Sequence, residues 1–104
     1  MAQFDLFENP NPKTNGDLPY FLNIQNDLFE SLSTQIIIPC YKRSAVPKDV
    51  EKLNLMVEFN DEPLLLLTPE LAGIPKSSLG QRVGNLSHAR DDIIAALDLL
   101  LTGI

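Results

Sequence analysis

The sequence is poor in the residues that build covalent or metal-based structure. Its 104 residues include no tryptophan, one cysteine and one histidine. The single cysteine, Cys40, excludes an intrachain disulfide framework and is typical of a protein kept in a reducing compartment. One cysteine and one histidine also cannot supply the ligands of a structural zinc site. We therefore expect a cytoplasmic protein that needs neither a metal nor a cofactor.

Long hydrophobic runs are also absent. No apolar stretch approaches the ~20 residues that a membrane-spanning helix requires. The opening segment, MAQFDLFENP, has no basic region and no long apolar core, so no secretory signal is expected. Hydrophobic residues nevertheless make up 44% of the chain. This content and this length predict one folded domain spanning residues 1–104.

Positive charge is scarce. Eight Lys and Arg oppose fourteen Asp and Glu, which gives a formal net charge of −6. Because non-specific affinity for nucleic acid comes mostly from basic side chains on phosphates, direct binding of DNA or RNA is not expected. The only loose basic grouping, Lys42, Arg43, Lys48 and Lys52, is typical of a solvated loop face and only weakly suggests an anion-contacting patch.

Catalytic motifs are weak. His88 lies beside Ser87 and close to Asp91, but adjacent residues on a helix point in different directions, whereas a catalytic triad needs three convergent groups. Cys40 has no histidine near it in sequence, so a small buried thiol is expected. No glycine-rich phosphate loop is present. The sequence therefore favours binding over catalysis.

The first half of the chain is patterned as strands. Alternating apolar residues predict half-buried strands over QFDLF (3–7) and YFLNIQ (20–25). The Pro-, Asn- and Gly-rich stretch between them predicts a projecting loop, with Asn15 and Gly16 suited to the positive φ angles of a tight turn. The isoleucines in TQIIIPCY (34–41) predict a strand buried on both faces.

The middle of the chain continues this pattern. Pro39 lacks a backbone donor, so its strand is expected to reach an edge or a bulge there. A short helical turn is expected after Pro47. Asn60 and Asp61 are expected to form the turn of a hairpin, since Pro63 would cost a helix about 3 kcal/mol. Residues 74–86 suggest one or two short strands. Together these predict a strongly bent antiparallel sheet or barrel over residues 1–86.

The last segment, 87–104, predicts one amphipathic helix with Ser87 as its N-cap. Its apolar residues cover an arc of roughly 220°, about twice a normal core stripe. Ile93, Leu97, Leu100 and Ile104 form the expected core stripe, with Ile94 and Leu101 on one side and Ala96 and Leu99 on the other. Either the helix is deeply sunk in its own domain, or one flank faces a second subunit or a partner.

Five segments of the sequence carry a family resemblance. They are Gln3–Phe4, IQND (24–27), IIP (37–39), LTPELAGIP (67–75) and VGNLSHARDDIIAALDLLLTGI (83–104). The chain resembles the CcdB toxins of toxin–antitoxin modules, which poison DNA gyrase. The resemblance implies an SH3-like barrel with a small extra sheet and a C-terminal helix. It also implies a homodimer whose two helix ends lie together near the two-fold axis.

The resemblance also implies a binding site for the gyrase A subunit. Its members here would be Asn26 and Leu28 in the loop, and Asp91, Leu101, Thr102, Gly103 and Ile104 on the helix and tail. The best-known family pattern has an aromatic residue and Trp before the final Gly-Ile, where this chain has Leu101 and Thr102. Because aromatic hot spots commonly contribute about 2 kcal/mol or more, we expect weaker binding or adaptation to another host's gyrase.

The resemblance further implies a CcdA-like antitoxin, whose disordered segment would fold onto the toxin. Its expected seats are the dimer groove near the helix ends and the loop after the first strand, through Glu8, Asn9, Asn11, Lys13, Asn15 and Asp17. Two alternatives remain open. Ribonuclease toxins share this barrel, although a net charge of −6 opposes RNA binding. The second alternative is a relative of these toxins that binds an antitoxin but does not poison gyrase.

Overall fold

A computed structural model describes residues 1–51 and 54–103 of the protein. This part of the chain is mainly β, with one long C-terminal helix. Within these residues the strands are β1 Asp5–Glu8, β2 Tyr20–Asn23, β3 Thr34–Lys42, β4 Leu55–Phe59, β5 Glu62–Leu66, β6 Ala72–Pro75 and β7 Arg82–Asn85. The helices are α1 Lys48–Glu51 and α2 Arg90–Thr102. The helical turn after Pro47 is therefore confirmed. Of the one or two short strands expected within 74–86, β7 lies inside these bounds, whereas β6 begins two residues earlier, at Ala72.

All seven strands belong to one antiparallel sheet with the order β4-β5-β3-β2-β1-β7. β6 lies off this path and pairs with β3. The sheet curls into a half-barrel around a core that includes Leu6, Leu22, Ile38, Leu64 and Leu86. The predicted fold class is confirmed, and the small extra sheet implied by the resemblance corresponds to the β6 branch, which is continuous with the main sheet.

β3 organises this branch. Residues Thr34–Ile37 pair with β6, and residues Cys40–Lys42 pair with β5, while β2 lies along the opposite side. Pro39 falls between the two partners, so its missing N–H interrupts no ladder on that side, and its carbonyl accepts a 3.1 Å hydrogen bond from the Leu67 N–H. The expectation of an edge or bulge at Pro39 was therefore wrong. β3 is an interior strand, and Pro39 lies where its neighbour on one side changes from β6 to β5.

The β4–β5 hairpin confirms its prediction. Phe59 pairs with Glu62, which leaves Asn60 and Asp61 as a two-residue turn with φ angles of 51° and 61°. Two consecutive left-handed residues define a type I′ turn, and Asn and Asp tolerate this conformation better than most residues.

The N-terminal strand begins two residues later than predicted. Phe4 has a φ of 69° and is buried, so it is not part of β1. Its N–H donates to the Asn23 carbonyl at 2.7 Å, and its carbonyl accepts from the Leu86 N–H at 2.8 Å. These two hydrogen bonds hold a backbone conformation that a phenylalanine rarely adopts.

The loop between β1 and β2 is exposed as expected, but its predicted turn is wrong. Neither Asn15 nor Gly16 has a positive φ. The loop instead winds through successive right-handed turns, in which the Asn15 N–H donates to the Asn11 carbonyl at 2.9 Å and the Leu18 N–H donates to the Thr14 carbonyl at 2.9 Å. These bonds satisfy the backbone without a left-handed residue.

The predicted N-cap of the helix is also wrong. Ser87 opens a short 3₁₀ turn, Ser87–Ala89, and α2 begins only at Arg90. The side-chain oxygen of Asn85 accepts from the Ser87 N–H at 2.7 Å, so an asparagine at the end of β7 satisfies the first free donor. No helix in the described part of the chain is long and apolar enough to cross a membrane.

Only the first half of α2 is covered by the domain. Ile93 is buried, and Ile94 and Leu97 pack partly against the core. Leu100, predicted in the core stripe, is 41% exposed, although α2 contacts β4 and the 3₁₀ turn Thr68–Glu70. Ile104 lies outside the described residues. Of the two interpretations of the broad apolar arc, the deeply sunk helix is therefore wrong.

Candidate functional site

The exposed end of α2 faces the connection between β2 and β3 across an apolar groove of about 360 Å³. We call this depression the α2 groove. It joins residues that lie far apart in sequence: Ile24, Gln25, Asn26, Phe29, Ile36, Leu71, Leu97 and Leu101. None of these eight side chains is charged, so the groove offers chiefly apolar surface to a ligand.

The β2–β3 side of the groove is shaped by a 3₁₀ turn, Asp27–Phe29. Asn26 is its N-cap, and the Asn26 side-chain oxygen accepts from the Leu28 N–H at 2.9 Å. Leu28 is 86% exposed and Phe29 is 54% exposed. The capped turn therefore presents two large apolar side chains to solvent, where they contribute little to the stability of the folded chain.

The helix side of the groove is shaped by the last turn of α2. Leu101 is 74% exposed, and the Thr102 hydroxyl donates to the Asp98 carbonyl at 2.7 Å. Gly103 ends the helix with a φ of 74°, and its N–H donates to the Leu99 carbonyl at 3.0 Å. Glycine adopts this left-handed conformation without the strain of a Cβ atom, so the chain turns away from the helix axis here.

Asp91 is not brought together with the other expected gyrase-binding residues. It lies in the first turn of α2, with its side chain fully in solvent, 3.5 Å from the Arg90 guanidinium. Leu101 lies ten positions further along the helix, about 15 Å along the axis. Asp98 precedes Leu101 by three residues and so shares its side of the helix. On α2 the acidic residue closest in sequence to Leu101 is therefore Asp98.

Sequence reasoning missed part of the groove. Phe29 follows Leu28 directly, so an unusual pair of apolar residues in a polar loop was an available signal. Ile36 and Leu71 had no such signal. They reach the groove because β6 pairs with β3, with Gly73 opposite Ile36.

The N-terminal segment braces the turn from outside. The N-terminal ammonium lies 2.7 Å from the Glu30 carboxylate, and the Gln3 N–H donates to the Asp27 carboxylate at 2.9 Å. The hydrogen bond from that ammonium, together with its charge, lowers the pKa of the Glu30 carboxyl. Because Glu30 is exposed, solvent screens this contact, which is a modest contribution to the turn's order.

The opposite flank of α2 borders a smaller depression of about 210 Å³. It is lined by Asn54, Leu55, Thr68, Pro69, Ala96, Leu99 and Leu100. Exposed leucines therefore occur on both flanks of the helix end. This is more apolar surface than one flank of a monomeric helix normally leaves in water.

The loop expected to meet an antitoxin is built around Asn9. This side chain is buried, and its amide donates to the Thr14 hydroxyl at 3.0 Å and to the Leu18 carbonyl at 2.8 Å. Its oxygen accepts from the Asn11 N–H at 3.1 Å. Asn9 therefore organises the loop rather than facing solvent. The other expected positions in this segment are exposed: Glu8, Asn11, Lys13, Asn15 and Asp17.

Reactive groups do not meet at either groove. Cys40 is fully buried, and desolvation raises the pKa of its thiol far above the ordinary value, so it remains a protonated core residue. His88 is exposed at the opposite end of α2 from the groove. Within residues 1–51 and 54–103, no cluster of His, Cys, Asp or Glu could hold a metal ion. The arrangement is suited to protein binding.

A family comparison covers every element that builds the α2 groove. The family model described as CcdB protein matches residues 3–103. The matched region runs from the residue before Phe4 to the left-handed glycine after α2, and so includes both the Asp27–Phe29 turn and the exposed helix end. The chain belongs to the CcdB family.

Proposed function

We propose that this protein poisons DNA gyrase by binding the gyrase A subunit and holding the enzyme in its DNA-cleaved state, with no reaction of its own. Membership of the CcdB family supports the broader role of a toxin in a toxin–antitoxin system. The observation that carries the finer proposal is the exposed apolar surface formed by the Asp27–Phe29 turn and the end of α2.

The exposed side chains suit a protein partner. Leu28, Phe29 and Leu101 are each more than half exposed; Phe29 and Leu101 line the α2 groove, and Leu28 lies beside Phe29 in the same turn. Burial of a leucine or phenylalanine side chain against a partner contributes about 1.5–3 kcal/mol. Three such residues in one patch therefore supply a substantial part of the binding free energy of a specific complex.

The chain end extends this surface. Gly103 turns the backbone away from the helix, and Ile104, outside the described residues, would supply a further apolar anchor. Thr102 has its hydroxyl occupied by the Asp98 carbonyl, so its methyl group is the part left for a partner. Without an aromatic pair at residues 101 and 102, we expect a larger share of the affinity to come from Leu28 and Phe29.

Homodimerisation is part of the proposal. A two-fold axis near the helix ends would place the Leu99 and Leu100 flank against its counterpart, while the Leu101 flank remains open to gyrase. Self-complementary patches repeated by two-fold symmetry are the commonest form of homodimer interface. The presence of leucines on both flanks supports this division.

Neutralisation by a CcdA-like antitoxin is proposed through the loop after β1 and the surface near the helix ends. A disordered segment that folds across both would cover gyrase-binding residues and lower their affinity for gyrase. The exposed loop residues available for this contact include Lys13 and Asp17, which carry opposite charges.

The ribonuclease alternative gains no support from the basic residues. Lys42, Arg43 and Lys48 border one depression, but Glu51 and Glu62 border it as well. The Arg43 guanidinium is 2.8 Å from the Glu51 carboxylate. Carboxylates in this position oppose the approach of phosphates.

The test is a DNA-cleavage assay with purified gyrase. The full chain is compared with a chain that lacks Gly103 and Ile104, and with Met56→Ala as a control, because Met56 is exposed on β4 away from the α2 groove. We expect double-strand breaks with the full chain and the control, and none with the shortened chain. No breaks with gyrase from several hosts would overturn the proposal, and a parallel RNA-cleavage assay would detect the ribonuclease alternative.

A further inference from the structure

We propose that Gln25 is a positioning residue, which holds the Asp27–Phe29 turn in the conformation that binds and so sets the affinity of the α2 groove without forming the main contact. The inference rests on the proposed function, since it takes the partner in the groove to be gyrase. Gln25 is 8% exposed, so little of its surface is available to a partner.

The Gln25 side chain ties together both ends of the β2–β3 connection. Its amide nitrogen lies 3.1 Å from the Phe29 carbonyl, 3.3 Å from the Thr34 carbonyl and 3.0 Å from the Gln35 side-chain oxygen. Its oxygen accepts from the Ile36 N–H at 3.1 Å. One carboxamide therefore links the last residue of the turn to the beginning of β3.

Two further buried amides orient Gln25. The Gln35 amide donates to the Asn23 side-chain oxygen at 3.0 Å, and that oxygen also accepts from the Gln25 N–H at 3.1 Å. The Asn23 amide donates to the Ala2 carbonyl at 3.0 Å. Each side-chain nitrogen and oxygen of this triad therefore has at least one hydrogen-bond partner, which orients the Gln25 carboxamide.

The connection has little else to hold it. Residues 26–34 are all exposed, so no buried side chain of their own anchors them. The turn also has backbone hydrogen bonds of its own, from the Phe29 N–H to the Asn26 carbonyl at 3.0 Å and from the Leu32 N–H to the Phe29 carbonyl at 3.1 Å. Its other contacts include the Asn26 cap and surface contacts of Asp27 and Glu30 with the N-terminal segment and Lys76. Exposed ionic contacts are weak and screened by salt. Among the described hydrogen bonds to Phe29, the one from the Gln25 amide is the one donated by a buried side chain, and it ties the turn to the residues that open β3.

The expected effect follows from the population of the binding conformation. Apparent affinity falls in proportion to the fraction of molecules whose turn is correctly placed. If loss of the Gln25 hydrogen bonds reduces that fraction to about one tenth, the Kd rises about tenfold. The surface contacts of Leu28, Phe29 and Leu101 stay chemically unchanged.

The test substitution is Gln25→Met, which keeps the length of the side chain and removes its hydrogen bonds. Gln81→Met is the matched control, because Gln81 is exposed beside β7 and remote in the sheet from the β2–β3 connection. Val46→Ala is the stability control, because Val46 packs with Leu65 and Leu67 in a separate cluster. Affinity for the purified gyrase A subunit and thermal unfolding midpoint are measured for all three variants and the unaltered chain.

We expect Gln25→Met to weaken binding about tenfold or more. Val46→Ala should lower the unfolding midpoint but change the Kd less than about twofold, because the effects of distant sites are usually independent. A purely structural role for Gln25 would make the loss of affinity follow the loss of stability in both variants. That result, or unchanged affinity in Gln25→Met, would overturn the inference.

Amide hydrogen exchange separates this inference from the proposed function. The N–H groups of Leu28, Phe29 and Ile36 are bonded within the turn or to Gln25. Their exchange should accelerate in Gln25→Met but not in Val46→Ala. If the unaltered chain does not bind gyrase, the proposed function fails, and the exchange rates alone decide the positioning role: unchanged rates at these amides would refute it.

Discussion

Leu101→Ala isolates the contribution of the helix end to gyrase binding. Leu101 is 74% exposed, so its truncation removes few contacts within the folded chain. The free energy of unfolding should change by no more than about 0.5 kcal/mol, as for most surface substitutions. Any large loss of activity would then arise in the complex.

The size of that loss can be worked from the exposed fraction. Complete burial of a leucine side chain contributes about 1.5–3 kcal/mol. About three quarters of Leu101 is available for burial by a partner, which gives about 1–2 kcal/mol. At 1.4 kcal/mol for each factor of ten, the concentration of toxin that gives half-maximal DNA cleavage should rise about 5- to 30-fold.

The assay is gyrase-dependent cleavage of supercoiled DNA over a range of toxin concentrations, with thermal unfolding of each variant in parallel. Met56→Ala is the control, since Met56 is a large exposed apolar side chain on a different part of the sheet. Unchanged potency of Leu101→Ala, with unchanged unfolding, would refute the assignment of this residue to the gyrase contact. A large fall in the unfolding midpoint would contradict the observed exposure of Leu101.

Three further predictions concern stability and the tail. Gly103→Ala places an L side chain at a φ of 74°, which costs about 1–2 kcal/mol, so DNA-cleavage potency should fall, whereas Gly103→Asn, which tolerates this conformation, should retain more of it. Gly84→Ala would put a Cβ 2.5 Å from Phe59 Cε1, and denaturant unfolding should reveal a loss of about 1–3 kcal/mol. Burial raises the pKa of the Asp5 carboxyl, but hydrogen bonds from Asn85 and Arg82 outweigh it and hold the pKa below 3.8. Its contribution to stability is therefore complete above that value and lost as pH falls below it, so Asp5→Asn should flatten the acid side of a profile of unfolding midpoint against pH.

Features with a short-range cause were predicted well. The hairpin at Asn60 and Asp61 depends on two residues that accept left-handed angles, and the strand through Ile36–Ile38 depends on β-branched side chains. The expected burial of this strand on both faces was wrong at Ile36, which is 41% exposed. The errors occurred where two local solutions competed. Asn15 and Gly16 can form a left-handed turn. In this loop, however, backbone hydrogen bonds between residues four apart satisfy the N–H and carbonyl groups without one. Ser87 can cap a helix, but it lies inside the 3₁₀ turn Ser87–Ala89 that precedes α2, and so it does not occupy the cap position.

The candidate site was predicted in its parts and not in its arrangement. Asn26, Leu28 and Leu101 were expected to meet a partner from the family resemblance, and the structure brings the turn and the helix end to the two sides of one groove. Asp91 was expected with them, yet it lies about 15 Å away along the helix axis. Their roles in binding gyrase remain predictions for the cleavage assay.

The sequence by itself determined the mainly β class, the terminal helix and the excess of apolar surface at the chain end, because these depend on periodicity and composition over a few neighbouring residues. Only the tertiary structure decided which apolar residues stay exposed. Leu100 looks like a core residue on a helical wheel, but the core covers α2 only as far as Leu97. The α2 groove exists because β6 pairs with β3 and the helix docks beside that branch. Both are contacts between segments distant in sequence, and no local pattern specifies them.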